Sequence, residues 1–299
     1  MKISIWSLMA LTAAFAFTSC DKDEDEDTTP IPSNQSSMNM SVTGLEDLGD
    51  DHRYEGWIIV DGAPVSTGTF SVATDGTLSQ TQFSVNTDNL AAATTFVLTI
   101  EPSPDSDPTP TDIHILGGDF NNSGAPLSVG HGAALGDDFS AASGGYILAT
   151  PTNGMNNDEN SGIWFLDPAA GPGPALDLPT LPAGWAYEGW AVIDGTPVTT
   201  GTFTSVSDFD DADSFSGSEA GPPFPGEDFL INAPSGLNFP TDLAGGTAVI
   251  SIEPVPDNSA APFTLKPLVG AISATAVDHL LYGMDNNSTN SFPSGNVTR

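Results

Sequence analysis

Apolar and polar positions alternate in short runs along most of the chain. These runs are rich in Val, Ile, Thr and Phe and are separated by turn residues, which is typical of β-strands. No apolar period of 3.6 residues is sustained over the length of a helix. The pattern predicts strands at residues 57–60, 65–72, 78–85, 96–100, 113–116, 146–149 and 163–166. Asp61-Gly62 between the first two predicts a tight hairpin turn.

A duplicated segment is the strongest signal inside the chain. Residues 54–70 read YEGWIIVDGAPVSTGTF and residues 187–203 read YEGWAVIDGTPVTTGTF, with twelve of seventeen positions identical. A second pair of matching blocks follows at 95–102 and 247–254. The sequence therefore predicts an all-β chain with two tandem β-sandwich domains, at 38–170 and 171–299, divided by a Pro- and Gly-rich stretch. We expect the strands at 146–149 and 163–166 to close the first domain, and the tail 292–299 to add a last strand with Val297 pointing inward.

The one long apolar run, residues 3–17, follows Met1 and Lys2. It has the length of a signal-peptide apolar region and is shorter than the roughly 20 residues of a membrane-spanning helix. Thr18-Ser19-Cys20 comes next and resembles the lipobox of bacterial lipoproteins, although Phe17 departs from its usual small aliphatic residue. We expect residues 1–19 to be a signal peptide and Cys20, the single cysteine, to be lipidated. A secretory signal followed by an ordinary cysteine is the alternative.

Residues 20–37 predict a disordered tether. Residues 21–27 read DKDEDED, and like charges at this density keep a segment extended and solvated. The rest of the tether is rich in Pro and Ser. A lysine followed by acids after the lipidated cysteine resembles the surface-export signal of Bacteroidota lipoproteins. That resemblance implies an outer-membrane lipoprotein displayed on the cell surface and held to the membrane by its lipid.

The large excess of acidic over basic residues limits the kinds of molecule that the protein can bind. The formal net charge is −34, and beyond the tether the basic residues are Arg53, Lys266 and Arg299. Nucleic acid is an improbable partner, because phosphate binding needs clustered Lys and Arg. The chain is 38% hydrophobic, which is too much for a disordered acidic protein. Counter-ions of a saline habitat would screen the surface carboxylates, and dedicated calcium binding is the sharper alternative.

The order of short motifs in the two copies resembles the C-terminal, extracytoplasmic domain of anti-sigma-K factors. The motifs are a Tyr-x-x-Trp strand, a Gly-x-Pro-Val turn, a Gly-x-Phe strand end and a Thr-x-Glu-Pro strand end, with Ser251 in place of the threonine in the second copy. The positions that carry the resemblance are Tyr54, Trp57, Gly62, Pro64, Gly68, Phe70, Glu101 and Pro102 in the first copy and Tyr187, Trp190, Gly195, Pro197, Gly201, Phe203, Glu253 and Pro254 in the second.

The resemblance implies a role near sigma-factor regulation, but it covers only about 80 residues per copy. Such regulators hold the sigma factor with a cytoplasmic helical domain joined to a transmembrane helix, and we expect neither in this sequence. We therefore expect no direct contact with a cytoplasmic sigma factor. The sequence favours a non-catalytic envelope lipoprotein that binds or senses an unknown envelope protein or glycan, as an accessory to sigma-factor regulation. A surface glycan-binding module of an uptake system and a structural surface protein are the alternatives.

Candidate chemistry is sparse. No Gly-x-Ser-x-Gly motif and no closely spaced histidine pair occurs, so we expect no enzyme and no cofactor. The weak calcium candidates are Asp208, Asp210, Asp211 and Asp213, which lack the complete calcium-loop pattern.

Two acids and four tryptophans have more specific predicted roles. Glu101 and Glu253 occupy matching places at strand ends, where each could accept backbone N–H bonds from a neighbouring loop. Paired carboxylates can also hydrolyse glycosides, but the same acid in both copies favours a structural role. The paired Trp57 and Trp190 are expected in the core, whereas Trp164 and Trp185 stand nearer loops and are the better candidates for a binding surface.

Overall fold

The computed structural model describes residues 34–154, 157–257 and 259–299. The described chain is nearly all β, which confirms the predicted fold class. The predicted signal peptide, Cys20 and most of the tether lie outside the described residues. Within the described ranges, no helix combines the length and the apolar character needed to cross a bilayer.

Strands dominate the described ranges. They are β1 (Gln35–Thr43), β2 (His52–Val60), β3 (Ala63–Phe70), β4 (Gln82–Asn86), β5 (Thr95–Pro102), β6 (His114–Asp119), β7 (Gly124–Ser128), β8 (Ser143–Leu148), β9 (Gly162–Trp164), β10 (Leu166–Asp167), β11 (Gly173–Pro174), β12 (Leu176–Asp177), β13 (Trp185–Ile193), β14 (Thr196–Phe203), β15 (Gly226–Asp228), β16 (Thr247–Pro254), β17 (Leu268–Ala271), β18 (Tyr282–Asn286) and β19 (Ser294–Thr298). The short helices are α1 (Thr87–Ala92) and α2 (Ser288–Ser291), with 3₁₀ turns at Pro151–Asn153 and Glu159–Ser161.

Two large antiparallel sheets share one strand order. The first sheet runs β3-β2-β5-β6-β7-β19-β1-β4, and the second runs β14-β13-β16-β17-β18-β8-β9-β15, with β12 added against β8. Each sheet curls until its edge strands meet, β3 with β4 and β14 with β15. In the first sheet the rings of Phe70 and Phe83 pack edge to face across this closure, with their centroids 6.0 Å apart. Each sheet is therefore a sandwich- or barrel-like body around apolar side chains.

Each sheet takes its sixth strand from the opposite half of the sequence. β8 follows β7 along the chain but pairs with β18, whereas β19 follows β18 but pairs with β7. The expectation that the strands near Tyr146 and Ile163 close the first domain is therefore wrong, because both pair in the second sheet. The last strand was predicted, and the side chain of Val297 is fully buried in the first sheet. The division at 170/171 stays a prediction about the sequence, and strand pairing crosses it.

The duplicated segment forms the same hairpin twice. Asp61 and Gly62 have φ angles of 52° and 81°, and Asp194 and Gly195 have 51° and 81°. Positive φ at both central positions is the geometry of the tight turn whose twist matches a hairpin, and Asp-Gly adopts it readily. The turns fix the register that pairs Tyr54 with Phe70 and its repeat counterpart Tyr187 with Phe203.

The two bodies share a continuous apolar core, and the two segments that connect them, 129–142 and 287–293, are in direct contact. The rings of Phe139 and Phe292 pack edge to face at 5.4 Å. The side-chain amide of Asn286 donates to the carbonyls of Phe139 and Ala142, at 2.7 and 2.9 Å. The chain therefore forms two bodies that are joined by exchanged strands and by packing.

Candidate functional site

The motif tyrosines and tryptophans hold the hairpins against the core. Tyr54 stacks on Phe70 with ring centroids 5.5 Å apart, and its hydroxyl donates to the Glu46 carbonyl at 3.0 Å. Tyr187 repeats both contacts, with Phe203 and the Pro179 carbonyl.

The paired tryptophans are core residues, as predicted. The indole N–H of Trp57 donates to the Thr99 hydroxyl at 2.9 Å, and that of Trp190 donates to the Ser251 hydroxyl at 2.8 Å. Both rings are buried. The Ser251 hydroxyl therefore accepts the indole N–H of Trp190 as the Thr99 hydroxyl accepts that of Trp57.

The tryptophans predicted near a binding surface are also buried. Trp185 is 3% exposed and Trp164 is 5% exposed. The indole N–H of Trp164 donates to the Asp228 carboxylate at 2.8 Å, so its polar edge is occupied inside the protein. The local sequence placed both residues near loops and could not show that the insertion after β14 folds over Trp164.

The acidic loop that carries the weak calcium candidates faces a cleft of about 420 Å³ beside Trp164. Its carboxylates bind backbone donors. Asp211 accepts the Thr202 N–H at 2.6 Å, Asp210 accepts the Gly226 N–H at 2.8 Å, and Asp208 accepts the Phe209 N–H at 2.9 Å. Burial raises the pKa of Asp210 to about 7. Asp213 also lines the cleft.

Glu227 and Asp228 form a buried acidic pair that sequence reasoning missed. Asp228 accepts the Thr152 backbone N–H at 2.8 Å and the Thr152 hydroxyl, whereas Glu227 accepts the Ser216 hydroxyl. The Asp228 bonds anchor the insertion to the turn after β8, whereas the Glu227 bond lies within the insertion. No repeat signal marks the pair, because it lies in the part of the second copy that has no counterpart in the first.

A second acidic pair occurs in both copies, on the strands β2/β5 and β13/β16. In the first copy Glu55 accepts the Ser66 hydroxyl, and Glu101 accepts the hydroxyl of Thr99. Glu101 also takes the Thr111 backbone N–H, at 3.0 Å to one carboxylate oxygen and 3.3 Å to the other. Both oxygens of Glu101 therefore have a donor, including the loop amide expected from the sequence.

The second copy leaves this pair partly unsatisfied. Glu188 accepts the Thr199 hydroxyl, and Glu253 accepts the Phe263 backbone N–H at 2.8 Å, each through Oε1. The remaining oxygens, Glu188 Oε2 and Glu253 Oε2, are buried and have no hydrogen-bond partner. A carboxylate oxygen of Asp257 joins them, with the three groups offering oxygens that all lie within 4.8 Å of one another.

Burial is the main cause of the abnormal acidity of this cluster. It raises the pKa of Glu253 to about 7, and the negative charges of Asp257 and Glu46 add to the effect. Burial also raises the pKa of Glu188, with Glu253 and Asp257 contributing repulsion. Oxygen-only ligands at this spacing are chemically suited to a hard cation. Among the described residues, no other group of three or more potential ligands, histidines included, meets this spacing.

Comparison with known proteins gives one family match. Residues 11–113 match the family model described as anti-sigma-K factor rskA, C-terminal. The match confirms the resemblance for the first copy, and its described part runs from β1 through β5. It ends before the second copy, whose relation to the first rests on the duplicated sequence and the shared strand order. No curated protein and no solved structure matches the chain.

Proposed function

We propose that the protein is a non-catalytic lipoprotein of the cell envelope, anchored through Cys20, which binds or senses a component outside the cytoplasm as an accessory to sigma-factor regulation. The observation that carries this proposal is the anti-sigma-K factor match over residues 11–113. A shared domain does not by itself transfer function, so the partner has to be found by experiment.

The accessory role predicts a membrane partner rather than a sigma factor. In the anti-sigma-K factors that this chain resembles, the C-terminal domain is the part that lies outside the cytoplasm. A chain that carries this part on a lipid anchor can act on a signalling system only through another protein that crosses the membrane. The formal net charge of −34 favours partners with basic or cation-bridged surfaces.

The test is in-cell crosslinking of the full lipoprotein at native salt, followed by affinity capture and mass spectrometry. We expect a transmembrane anti-sigma factor, or the protease that cleaves it, among the crosslinked proteins. The control is Cys20→Ala, which removes the proposed lipidation site. This variant should leave the membrane fraction and lose the crosslink. Recovery of uptake-system proteins without any regulator would overturn the regulatory role.

One observation favours glycan binding as a second candidate. The cleft of about 420 Å³ is lined by carboxylates, which can accept hydrogen bonds from sugar hydroxyls, and by Phe209, an aromatic ring that is 57% exposed. A glycan ligand would therefore lose affinity in Phe209→Ala, whereas a protein partner bound elsewhere would not. Titration of surface polysaccharide onto the two proteins, followed by tryptophan fluorescence, separates the candidates because Trp164 lines the same cleft.

A further inference from the structure

We propose that Glu188, Glu253 and Asp257 form a calcium site in the second copy, and that a bound cation supplies the positive charge that this buried cluster lacks. The site is separate from the acidic loop at 208–213 and from the proposed regulatory role.

The unpartnered oxygens point to a ligand. Glu188 is 4% exposed and Glu253 is fully buried, yet Oε2 of each has no donor. Leaving a buried charged acceptor without a partner costs several kcal/mol in general, so native proteins rarely do so. Because the oxygens of these two acids and of Asp257 lie within 4.8 Å of one another, a single ion can contact all three.

The first copy shows how the same pair is satisfied without an ion. Thr111, ten residues after Glu101, donates its backbone N–H to both oxygens of that carboxylate. Phe263, ten residues after Glu253, donates its N–H to one oxygen only, and it has no hydroxyl. At this position the second copy therefore offers fewer donors than the first, and Oε2 of Glu253 receives none.

The residues opposite the repeated acid also differ between the two copies. Arg53 stands directly opposite Glu101 in the strand register, with its guanidinium donating to the carbonyls of Gly49 and His52. Ala186 occupies the equivalent place opposite Glu253. Glu46, which belongs to the first copy, lies close enough to Glu253 to repel it. Lys266 offsets part of this charge, but its ammonium group donates to the Phe263 carbonyl at 2.6 Å.

The ligand chemistry favours calcium over other ions. The donors are all carboxylate oxygens, whereas zinc and copper sites usually include histidine or cysteine. Calcium accepts irregular sets of six to eight oxygens, and water can complete a set of three carboxylates because Asp257 is only half-buried. Magnesium needs a near-ideal octahedron and gives up its waters reluctantly, so it should bind more weakly.

Calorimetric titration of the full chain with calcium chloride tests the proposal. We expect one saturable site above the weak binding of the acidic surface. The affinity should fall at least about tenfold in Glu253→Gln. Asp257→Asn should weaken binding in the same direction. Its matched control is Asp105→Asn, at the equivalent place in the first copy, which should bind as the unchanged protein does. Asp257 and Asp105 are not fully buried, so these two variants keep the test valid if Glu253→Gln does not fold.

Proton release provides a second, independent readout. Calcium takes carboxylate ligands in their deprotonated form, so any proton held by a buried ligand must leave when the ion binds. The measured heat should therefore depend on the ionisation enthalpy of the buffer, which binding to ordinary surface carboxylates would not produce. Absence of a saturable site, or equal affinity in Glu253→Gln, would overturn the proposal. A site that remains in Glu253→Gln and disappears in Asp210→Asn would place calcium in the acidic loop instead.

Discussion

At the scale of single residues, the hydrogen-bond donors around a repeated acid differ between the two copies. The Thr111 hydroxyl donates to the Ile100 carbonyl at 2.7 Å, and the Thr111 backbone N–H donates to both oxygens of the Glu101 carboxylate. Phe263 offers only its backbone N–H to Glu253. The duplicated fold therefore keeps the same acid in both copies while its surroundings have diverged. This difference leaves Oε2 of Glu253 without a hydrogen-bond partner, which is the basis of the proposed cation site.

The buried acids predict that stability falls as pH rises in the presence of a chelator. The unfolded Glu253 loses its proton near pH 4.5, but the folded one keeps it until about pH 7. The folded state therefore holds more protons between these values, and the free energy of unfolding decreases across this window. The rise in pKa corresponds to roughly 3 kcal/mol, which is fully lost above pH 7.

Urea unfolding of the unchanged protein and of Glu253→Gln at pH 5, 6, 7 and 8, with EDTA, measures this effect. Glu253→Gln should lose less stability across the range, because an amide does not ionise. Part of the slope should remain, because burial raises the pKa of Glu188 as well. Parallel pH profiles for the two proteins would show that Glu253 carries no such penalty.

Thr111→Val should weaken the support of the loop that covers Glu101, while keeping the backbone N–H that reaches both oxygens of that carboxylate. The change removes the hydroxyl bond to the Ile100 carbonyl and weakens the donor set around Glu101. We expect a loss of about 1 kcal/mol in the free energy of unfolding, measured by urea denaturation. Thr109→Val is the matched control, since its hydroxyl bonds the exposed Asp107. Equal losses in the two variants would mean that Thr111 has no special role.

At the scale of elements, the last strand is held by an unusually well-connected terminal side chain. The Arg299 guanidinium donates to the carbonyls of Leu90 and Ala93 at 2.5 and 2.8 Å, where α1 ends. It also lies 4.3 Å from the ring centroid of Phe120. β19 is thereby fixed between β1 and β7 in the first sheet.

Arg299→Ala should therefore destabilise the protein by about 1–2 kcal/mol, because it removes two hydrogen bonds and a cation–π contact. Chemical denaturation followed by fluorescence measures the loss. Arg53→Ala is a useful comparison, since Arg53 bonds only neighbouring carbonyls of its own loop and strand, those of Gly49 and His52. A larger loss for Arg53→Ala would contradict the proposed anchoring of β19.

The strands themselves could be predicted, but their partners could not. The runs around Trp57, Phe96 and Val297 form strands in the structure as expected, because alternation and turn residues are local signals. Tyr146 in β8 and Val297 in β19 are both fully buried and both follow a Ser-Gly pair, so the local sequence does not show which sheet each strand joins. The choice depends on long-range packing. The calcium cluster was missed for the same reason, since it needs Glu188, Glu253 and Asp257 from separate segments.

At the scale of the whole molecule, the exchange of sixth strands makes the two bodies dependent on each other. The first sheet lacks its strand between β7 and β1 unless β19 is present, and the second lacks its strands beside β18 unless β8 and β9 are present. An unfilled place in a sheet exposes unpaired backbone groups on both sides. Neither body can therefore close with residues from its own copy alone.

Separate halves of the chain, 34–170 and 171–299, should consequently fail to fold when expressed alone. The first half would carry β8 and β9 without their sheet, and the second would carry β19 without its partners. Together in one cell, the two fragments should form a complex with the circular dichroism of the intact chain, because every strand is then available.

The control is a cut after residue 142, before β8. This cut keeps β8 and β9 with the second sheet and leaves the first sheet missing only β19. The second fragment of that cut, 143–299, should be more soluble alone than 171–299. If 34–170 gave a cooperative unfolding transition by itself, β8 would be able to fill the place of β19, and the exchange would not be required for folding.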